Sequence, residues 1–425
     1  MFDIINKTNV LRFFMRTILH SDLNNCFASI ESIGHPEYYD IPFAVGGDEE
    51  MRHGIILAKN ECAKKFGIKT GEPLLSARKK CPELKVVKPH FDLYEEYCSS
   101  VRQMYYDYTD QIEPFGMDES WLDVTGSAAL FGDGEKIANE IRRRVKKEFG
   151  LTVSVGVSYN KIFAKLGSDY KKPDAVTVIT PENYKGMIWN LPVEELLYVG
   201  RATKAKLNRI GIKTIGELAN TSEDFLRSIF GKNGSMLHMF ANGLESSPVK
   251  KFNEQDFIKS LGNSTTTPRD MMNPKDVNLI FNMLAEQVCK RLRKHHLKCS
   301  VVQIHLRNSD LVSIERQMHL HSPTDISGEV CRAAMDLLEK NYNFYVPLRS
   351  VGIRATELSA ADTPLQLDFA DDLFKLQKLS RIETVKDVIN ERYGNYSICR
   401  AVLLSDRSLL PEYDPAGVTS CFRSH

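Results

Sequence analysis

Apolar and polar positions follow two different periods along this chain, and the switches between them outline its elements. Ile18-Leu19-His20 reads as a short buried strand ending at Asp22, and Asn24 to Ile33 as a helix with Phe27 and Ile30 on one face. Residues 40–57 read as a hairpin, Ile41-Pro42-Phe43-Ala44-Val45 then Gly54-Ile55-Ile56-Leu57, joined by a polar loop. A short helix between Ala58 and Pro73 is surrounded by Lys59, Lys64, Lys65 and Lys69. The spacing from Phe91 to Tyr108 is helical and leads directly into an acidic stretch, Ile112 to Thr125. A helix from Glu135 to Phe149 follows, with Ile137, Ile141 and Val145 on its buried side and Gly150 as its stop. Leu151, Val153, Val155 and Val157 alternate as a strand. Asn160 caps a helix carrying Lys161 and Lys165, and Lys171-Lys172-Pro173 ends it before the strand Ala175 to Ile179. Together these predict an α+β sheet whose strand ends carry Asp22 and Asp118.

The second half changes character. Leu191 to Asn220 reads as two short helices about a glycine turn, and Gly231-Lys232-Asn233-Gly234 as a weaker turn of the same kind. Ser246 to Gln255 is a polar, proline-containing linker. Beyond it come a strand (Ile258 to Thr266), a helix (Pro274 to His296, capped by Asn273), strands Ser300 to Arg307 and Leu311 to Leu320, a helix Ile326 to Tyr342 and a strand Arg349 to Thr356, a split β-α-β pattern. After Glu357 the pattern predicts a loop through Thr363 to Phe369, an amphipathic helix Leu373 to Arg392 and a poorly patterned tail. Met1 to Phe14 fits no element well, and Met15-Arg16-Thr17 is itself a candidate start of the folded chain.

Composition bounds this picture without naming a partner. A chain of 425 residues is too long for one ordinary core, and 42% hydrophobic with 26% charged residues is a globular balance. Net charge is +1, so attraction to an anionic partner must come from local patches. The nine cysteines are odd in number and form no C-x-x-C pair, which predicts reduced thiols in a cytoplasmic protein and no zinc site. No apolar run approaches a membrane span.

Candidate chemistry concentrates in Glu113-Pro114-Phe115-Gly116-Met117-Asp118-Glu119-Ser120-Trp121-Leu122-Asp123, with Asp22 arriving from upstream. These carboxylates are candidate ligands of metal ions. Neighbours on a straight strand point to opposite faces, so Asp118 and Glu119 serve one site only if the backbone bends, and Gly116 supplies that freedom. Plainer roles stay open: Asp22 as a helix cap, Phe27 as core, the lysines as solvated surface. Between Gly200 and Thr214 stand Arg201, Lys204, Lys206, Arg209 and Lys213 with no acid, which suits phosphate contact at a glycine turn or a plain helical hairpin. Gly46-Gly47-Asp48-Glu49-Glu50 imitates the GGDEF signature of nucleotide cyclases, a third reading beside a simple hairpin loop.

Asp22-Leu23-Asn24-Asn25-Cys26-Phe27, Gly116 to Asp123, Asn160-Lys161 through Lys172-Pro173 and the turn at Gly200, taken in order, resemble the Y-family DNA polymerases, in their bacterial DNA polymerase IV branch. The resemblance runs from about Arg16 to Thr356. It implies a multidomain right hand: an N-terminal extension (1–16), a ferredoxin-like palm (17–24 and 89–179), small fingers (25–88), a helix-hairpin-helix thumb (180–246), a linker (247–256), a βαββαβ little finger (257–358) and a C-terminal extension (359–425). It implies template-directed, translesion-type addition of deoxynucleotides to a primer, with low processivity and no proofreading. Two magnesium ions would be held by Asp22, Asp118, Glu119 and the carbonyl of Leu23. Phe27 matches the steric gate against a 2′-hydroxyl. Lys172, Lys165 and Lys64 match or support triphosphate contacts.

By the same resemblance Gly200, Arg201, Lys204, Lys259, Ser264 and Thr265 meet DNA, and Gln366, Leu367 and Phe369 resemble a sliding-clamp peptide one hydrophobic residue short. The implied partners are primed DNA, deoxynucleoside triphosphates and a clamp; the expected state is a monomer with no membrane contact. Two positions depart from the family pattern: Glu61 stands where many relatives carry a triphosphate-contacting side chain, and Cys26 stands before the gate, often an aromatic position. A catalytically silent DNA-binding accessory of the same fold is the alternative.

Overall fold

The computed structural model describes residues 16–410 apart from 48–53, 255–256, 364–372, 395–396 and 407. In chain order, β1 (Ile18–Leu23) leads into α1 (Cys26–Gly34), and β2 (Phe43–Gly46), β3 (Ile56–Lys59), α2 (Glu61–Lys65), α3 (Leu74–Lys80) and β4 (Lys85–Val87) form a small layer with its own three-stranded sheet. The chain then returns through α4 (Phe91–Tyr105), β5 (Ile112–Phe115), β6 (Glu119–Asp123), α5 (Gly134–Phe149), β7 (Val153–Ser158), α6 (Lys161–Tyr170) and β8 (Val176–Val178). These build a five-stranded sheet in the order β5-β6-β1-β7-β8.

β1 is buried at every position because it is the central strand, antiparallel to both β6 and β7. Its alternation separates two jobs. Leu19 and Leu23 join Ile137, Ile141 and Val145 of α5 and Val101 and Met104 of α4 in one core, and the Ser21 hydroxyl pairs with that of Tyr105 at 2.8 Å. His20 and Asp22 face the other way, toward α6: His20 Nδ1 lies 2.9 Å from Ser168 Oγ. α6 can lie that close because Gly156 of β7 faces it. A Cβ there would stand 1.9 Å from the Ala164 carbonyl oxygen, and one at Gly167 would be 2.9 Å from the Gly156 Cα. The Asn160 side chain accepts the Phe163 amide at the start of α6, a cap worth about 1 kcal/mol.

After a short helical turn at Tyr184–Ile188 come α7 (Arg201–Arg209), α8 (Ile215–Asn220), α9 (Glu223–Phe230) and α10 (Lys232–Ala241). α7 and α8 are joined through Gly211, whose φ of +87° is the left-handed region glycine enters freely, and Thr214 and Glu217 close a capping box on α8. A second α+β unit then runs β9 (Ser260–Met271), α11 (Pro274–Lys294), β10 (Leu297–Asn308), β11 (Ser313–Thr324), α12 (Ser327–Asn341) and β12 (Leu348–Ala360), as a four-stranded antiparallel sheet β11-β10-β12-β9 with α11 and α12 packed on one face. The chain closes with α13 (Leu373–Tyr393).

One expectation for the C-terminal part needs correction. α13 forms, but Ile382, Val385 and Val388 are more than half exposed while Leu376, Leu379 and Ile389 are half-buried and Glu383 is buried, so its apolar residues are divided between two faces rather than gathered on one. Within the poorly patterned tail, Leu403, Leu409 and Leu410 belong to the core shared by α11, α12 and the four-stranded sheet. No helix among the described residues is long and apolar enough to cross a membrane.

Candidate active site on the central sheet

Register places the first two carboxylates. Asp22, at the end of β1, lies directly opposite Glu119, the first residue of β6. The third comes from the turn between β5 and β6, where Gly116 takes φ +77° and leaves Asp118 outside the strand, so that successive residues are not forced to opposite faces. The Leu23 amide donates to the Asp118 carbonyl at 3.2 Å, tying the turn to the end of β1.

α6 brings the counter-charges. Lys165 Nζ stands 3.2 Å from Asp22 Oδ2, 2.8 Å from Glu119 Oε2 and 3.2 Å from Asp169. Lys172 Nζ is 2.7 Å from both Asp22 Oδ2 and Asp169 Oδ1. His20 is fully buried, with Nε2 3.1 Å from Glu119 Oε2 but out of line for a straight hydrogen bond, and its ring meets Trp121 edge-on.

The electrostatics differ from one carboxylate to the next. Burial, reinforced by the charges of Asp22 and Glu119, pushes Asp118 up to about 6, and no salt bridge reaches it among the described residues. Burial alone would raise Glu119 too, but the His20 ring beside it and the charge of Lys165 pull it down to about 2. Burial opposes the charge of Lys165, yet Glu119, Asp22 and Asp169 hold its ammonium above the ordinary lysine range. Lys172 is raised against burial by Asp22 and Asp169. Burial lowers His20, which favours the neutral ring.

An all-oxygen donor set with one unpaired carboxylate and one poorly aligned buried oxygen, Glu119 Oε2, fits hard divalent cations. No three ligating side chains among the described residues already converge on one point, and Lys165 and Lys172 occupy oxygens of Asp22 and Glu119. Cation binding at these carboxylates therefore requires the two ammoniums to swing aside.

Around this centre the other sequence-predicted residues fall into place unevenly. Phe27, on the first turn of α1, stacks on Tyr94 with ring centroids 4.4 Å apart and planes 11° from parallel, and Phe91 meets it edge-on at 5.9 Å. Cys26 turns inward, its Sγ 3.5 Å from Cys98 Sγ, so the residue before Phe27 belongs to the core. Asn25 donates to Glu61 at 2.8 Å, and Glu61 pairs with Lys64 at 2.6 Å, which brings both α2 residues beside the start of α1. Glu61 thus neutralises part of the charge expected of Lys64. Asp123 caps the turn that follows β6, accepting from the amide and hydroxyl of Thr125.

Farther out, Gly200 begins α7 with no side-chain cap and Arg201 is exposed, but Lys204 is tied to Glu194 at 2.5 Å, an acid just outside the stretch that looked purely basic. Lys259 precedes β9 and is exposed. Ser264 lies opposite Gly352 and is exposed, whereas Thr265 lies opposite buried Val351. The two therefore face opposite sides of the sheet, and their side chains do not share one contact surface. Gln366, Leu367 and Phe369, like Asp48 to Glu50 of the cyclase-like loop, lie outside the described residues.

Sequence reasoning missed His20 and Asp169. Both carried a signal: His20 is two residues before Asp22 on a strand, hence on its face, and Asp169 is four residues after Lys165 on a helix, hence one turn away.

Comparison with known proteins gives the family and the fold. Residues 21–169 match the impB/mucB/samB family, residues 258–369 the C-terminal domain of that family, and residues 195–245 the DNA polymerase-iota thumb domain. The DNA polymerase IV of Acetivibrio thermocellus is 51% identical over 394 residues, 93% of this chain and 99% of the relative. That of Clostridium kluyveri is 36% identical over 386 residues, 89% of this chain and 96% of the relative. A solved Y-family DNA polymerase chimera shares the fold at a TM-score of 0.72 and 23% identity, covering 81% of this chain and 99% of its own.

Proposed function

The chain belongs to the DNA polymerase IV branch of the impB/mucB/samB family of Y-family polymerases, and on that premise we propose which of its residues carry out DNA synthesis. It is a template-directed DNA polymerase of the translesion type that binds DNA and depends on divalent metal. The observation that supports the site assignment is Asp22 lying opposite Glu119 under Lys165 and Lys172, with Asp118 near enough to feel both carboxylate charges and without a salt bridge among the described residues.

Asp22, Asp118 and Glu119, with the Leu23 carbonyl, are the ligands. Two magnesium ions held there would supply charge neutralisation for the primer 3′-oxygen and the triphosphate. Lys165 and Lys172 act as transferable counter-charges: they neutralise Asp22 and Glu119 while the site is empty of substrate and pair with triphosphate oxygens when nucleotide enters. Lys64 adds a weaker charge from the same side, reduced by Glu61. Phe27, held flat on Tyr94, floors the sugar pocket and excludes a 2′-hydroxyl.

The five-stranded sheet with α4 to α6 corresponds to the palm (17–24 and 89–179), and the small three-stranded layer to the fingers (25–88). Residues 180–246 form the thumb, followed by a linker (247–256), and the four-stranded unit is the little finger (257–358). Gly200, Arg201, Lys259 and Ser264 are the DNA contacts best supported by exposure. Lys204, shared with Glu194, and Thr265, turned from Ser264, are weaker ones. Gln366, Leu367 and Phe369 serve a sliding clamp, and the protein works as a cytoplasmic monomer.

Primer extension by the Asp118→Ala and Glu119→Ala variants tests the assignment. Both are expected to lose extension while retaining primed-DNA binding, and full activity in both would sink it. Wild-type protein that binds primed DNA without extending it would instead favour the silent accessory.

A further inference from the structure

Glu31, a buried carboxyl group that plays no part in the site described above, lies one turn after Phe27 on α1 and is only 5% exposed. It accepts from the Tyr94 hydroxyl and, on the same oxygen Oε1, from His90 Nδ1 at 2.8 Å. Tyr94 is fully buried and is the ring on which Phe27 lies. Burial and the neighbouring carboxylate hold the Tyr94 phenol above its ordinary range, so the hydroxyl keeps its proton and acts as the donor. A closed loop results. α1 carries Phe27 on its first turn and Glu31 on its second, and one side chain of α4 joins the two.

Stacking alone does not fix this arrangement. Phe27 and Tyr94 lie nearly parallel, and Phe91 meets both edge-on at 5.9 Å. Such ring contacts stay favourable over centroid separations from about 4.5 to 7 Å, so they resist sliding weakly. A hydrogen bond is directional and weakens steeply when bent. Phe27 and Phe91 have no polar side-chain atom, so within this trio only Tyr94 has a directional contact. Phenylalanine at 94 and leucine at 31 would fill similar space without burying a hydroxyl or a carboxyl. What the polar pair adds is orientation: the far end of the Tyr94 ring is pinned by Glu31. His90, whose carbonyl also accepts the Tyr94 amide at 3.2 Å, fixes the carboxyl in turn.

We propose that Glu31 is a positioning residue for sugar discrimination, holding the Tyr94 ring in place beneath Phe27 through the Tyr94 hydroxyl. This rests on Phe27 being the gate against a 2′-hydroxyl. Without the bond the Tyr94 ring slides, Phe27 follows it, and the floor of the sugar pocket yields to the extra hydroxyl.

The test is primer extension with a deoxynucleoside triphosphate and the matching ribonucleotide, read as two kcat/KM values and their ratio. Tyr94→Phe and Glu31→Leu should each lower the preference for the deoxynucleotide about fivefold, the size of one lost hydrogen bond. They should do so by raising the ribonucleotide kcat/KM in absolute terms. Glu31→Gln, which keeps an acceptor oxygen for Tyr94, should retain the parental ratio. Tyr94→Phe combined with Glu31→Leu should lose no more than Glu31→Leu alone, and neither change should lower the ratio further once Phe27→Ala is present. A role confined to tying α1 to α4 would reduce both kcat/KM values together and leave the ratio unchanged, which overturns the positioning role. So does a loss of preference that persists in the Phe27→Ala background, because the effect then lies elsewhere than at Phe27. Where Glu31→Leu does not fold, Tyr94→Phe decides. An unchanged ratio in Phe27→Ala itself refutes the gate, whereas a lowered ratio there beside a parental one in Tyr94→Phe refutes the role of Glu31 alone.

Discussion

Replacing Asp118 with Asn should make the protein more stable and at the same time abolish its activity. In the folded chain the Asp118 carboxyl is raised from 3.8 to about 6 by burial and by Asp22 and Glu119. Ionising it in place therefore works against folding. The cost is absent below about pH 3.8, where the group is protonated folded or unfolded, grows as pH rises, and is complete above about 6. At about 1.4 kcal/mol per pH unit the shift corresponds to about 3 kcal/mol; partial exposure of the side chain reduces this to about 1–2 kcal/mol. Asn keeps the shape without the charge, so the variant should gain that amount at pH 7.5 and nothing at pH 4. The only two tryptophans, Trp121 and Trp189, lie outside the four-stranded unit, so their fluorescence follows unfolding of the part that contains the site. In chelator at pH 7.5 the variant should melt a few degrees above the parent. Added magnesium should raise the melting temperature of the parent and leave the variant nearly unchanged, reversing the order. A variant no more stable than the parent in chelator at pH 7.5, or one whose gain persists at pH 4, would refute the charge argument.

Other consequences follow from the same geometry. Phe27→Ala should raise ribonucleotide incorporation relative to deoxynucleotide by roughly tenfold or more, the equivalent of about 1.4 kcal/mol, measured as a ratio of kcat/KM values; an unchanged ratio removes the gate role. Asp169→Asn, which frees one partner of both Lys165 and Lys172, should raise the nucleotide KM about fivefold, the loss of about 1 kcal/mol of charge-assisted bonding, with a smaller change in kcat and none in DNA affinity. An effect confined to kcat would contradict its positioning role. Gly156→Ala puts a methyl group 1.9 Å from the Ala164 carbonyl and 2.5 Å from the Ser168 amide, so α6 must move. The cost should be about 3 kcal/mol, read as a lower tryptophan-monitored melting temperature together with impaired extension. A variant of parental stability would show that α6 does not depend on this contact.

Much of the site was legible because local rules place it. Asp22 is at the end of an apolar run, Gly116 announces a turn, and Asn160 with Lys161 to Lys172 is a capped helix, so the three carboxylates and two lysines were named from spacing and resemblance. His20 and Asp169 were named by neither, although their periods put them on the right faces, because a period specifies a face and not what the opposing element presents there. The one-sided charge at α7 is partly offset for a similar reason: Glu194 is only a few residues away along the chain but outside the window, and folding brings it onto Lys204.

What the sequence determined by itself is the order of elements, the two α+β units and the residue types of the site, all of which depend on interactions between near neighbours. The tertiary structure decided how charges are shared and which faces are used. Asp118 has no salt bridge among the described residues while Lys165 and Lys172 are engaged by Asp22, Glu119 and Asp169; Cys26 joins the core because Cys98 waits there; Ser264 and Thr265 part company because they pair in regular register with Gly352 and Val351 of β12. The orientation of α13 is of the same kind. Its sequence offers apolar residues on both sides, and the choice falls to Arg293, Glu286 and Arg400, buried charges that come from other segments and must be neutralised where they lie.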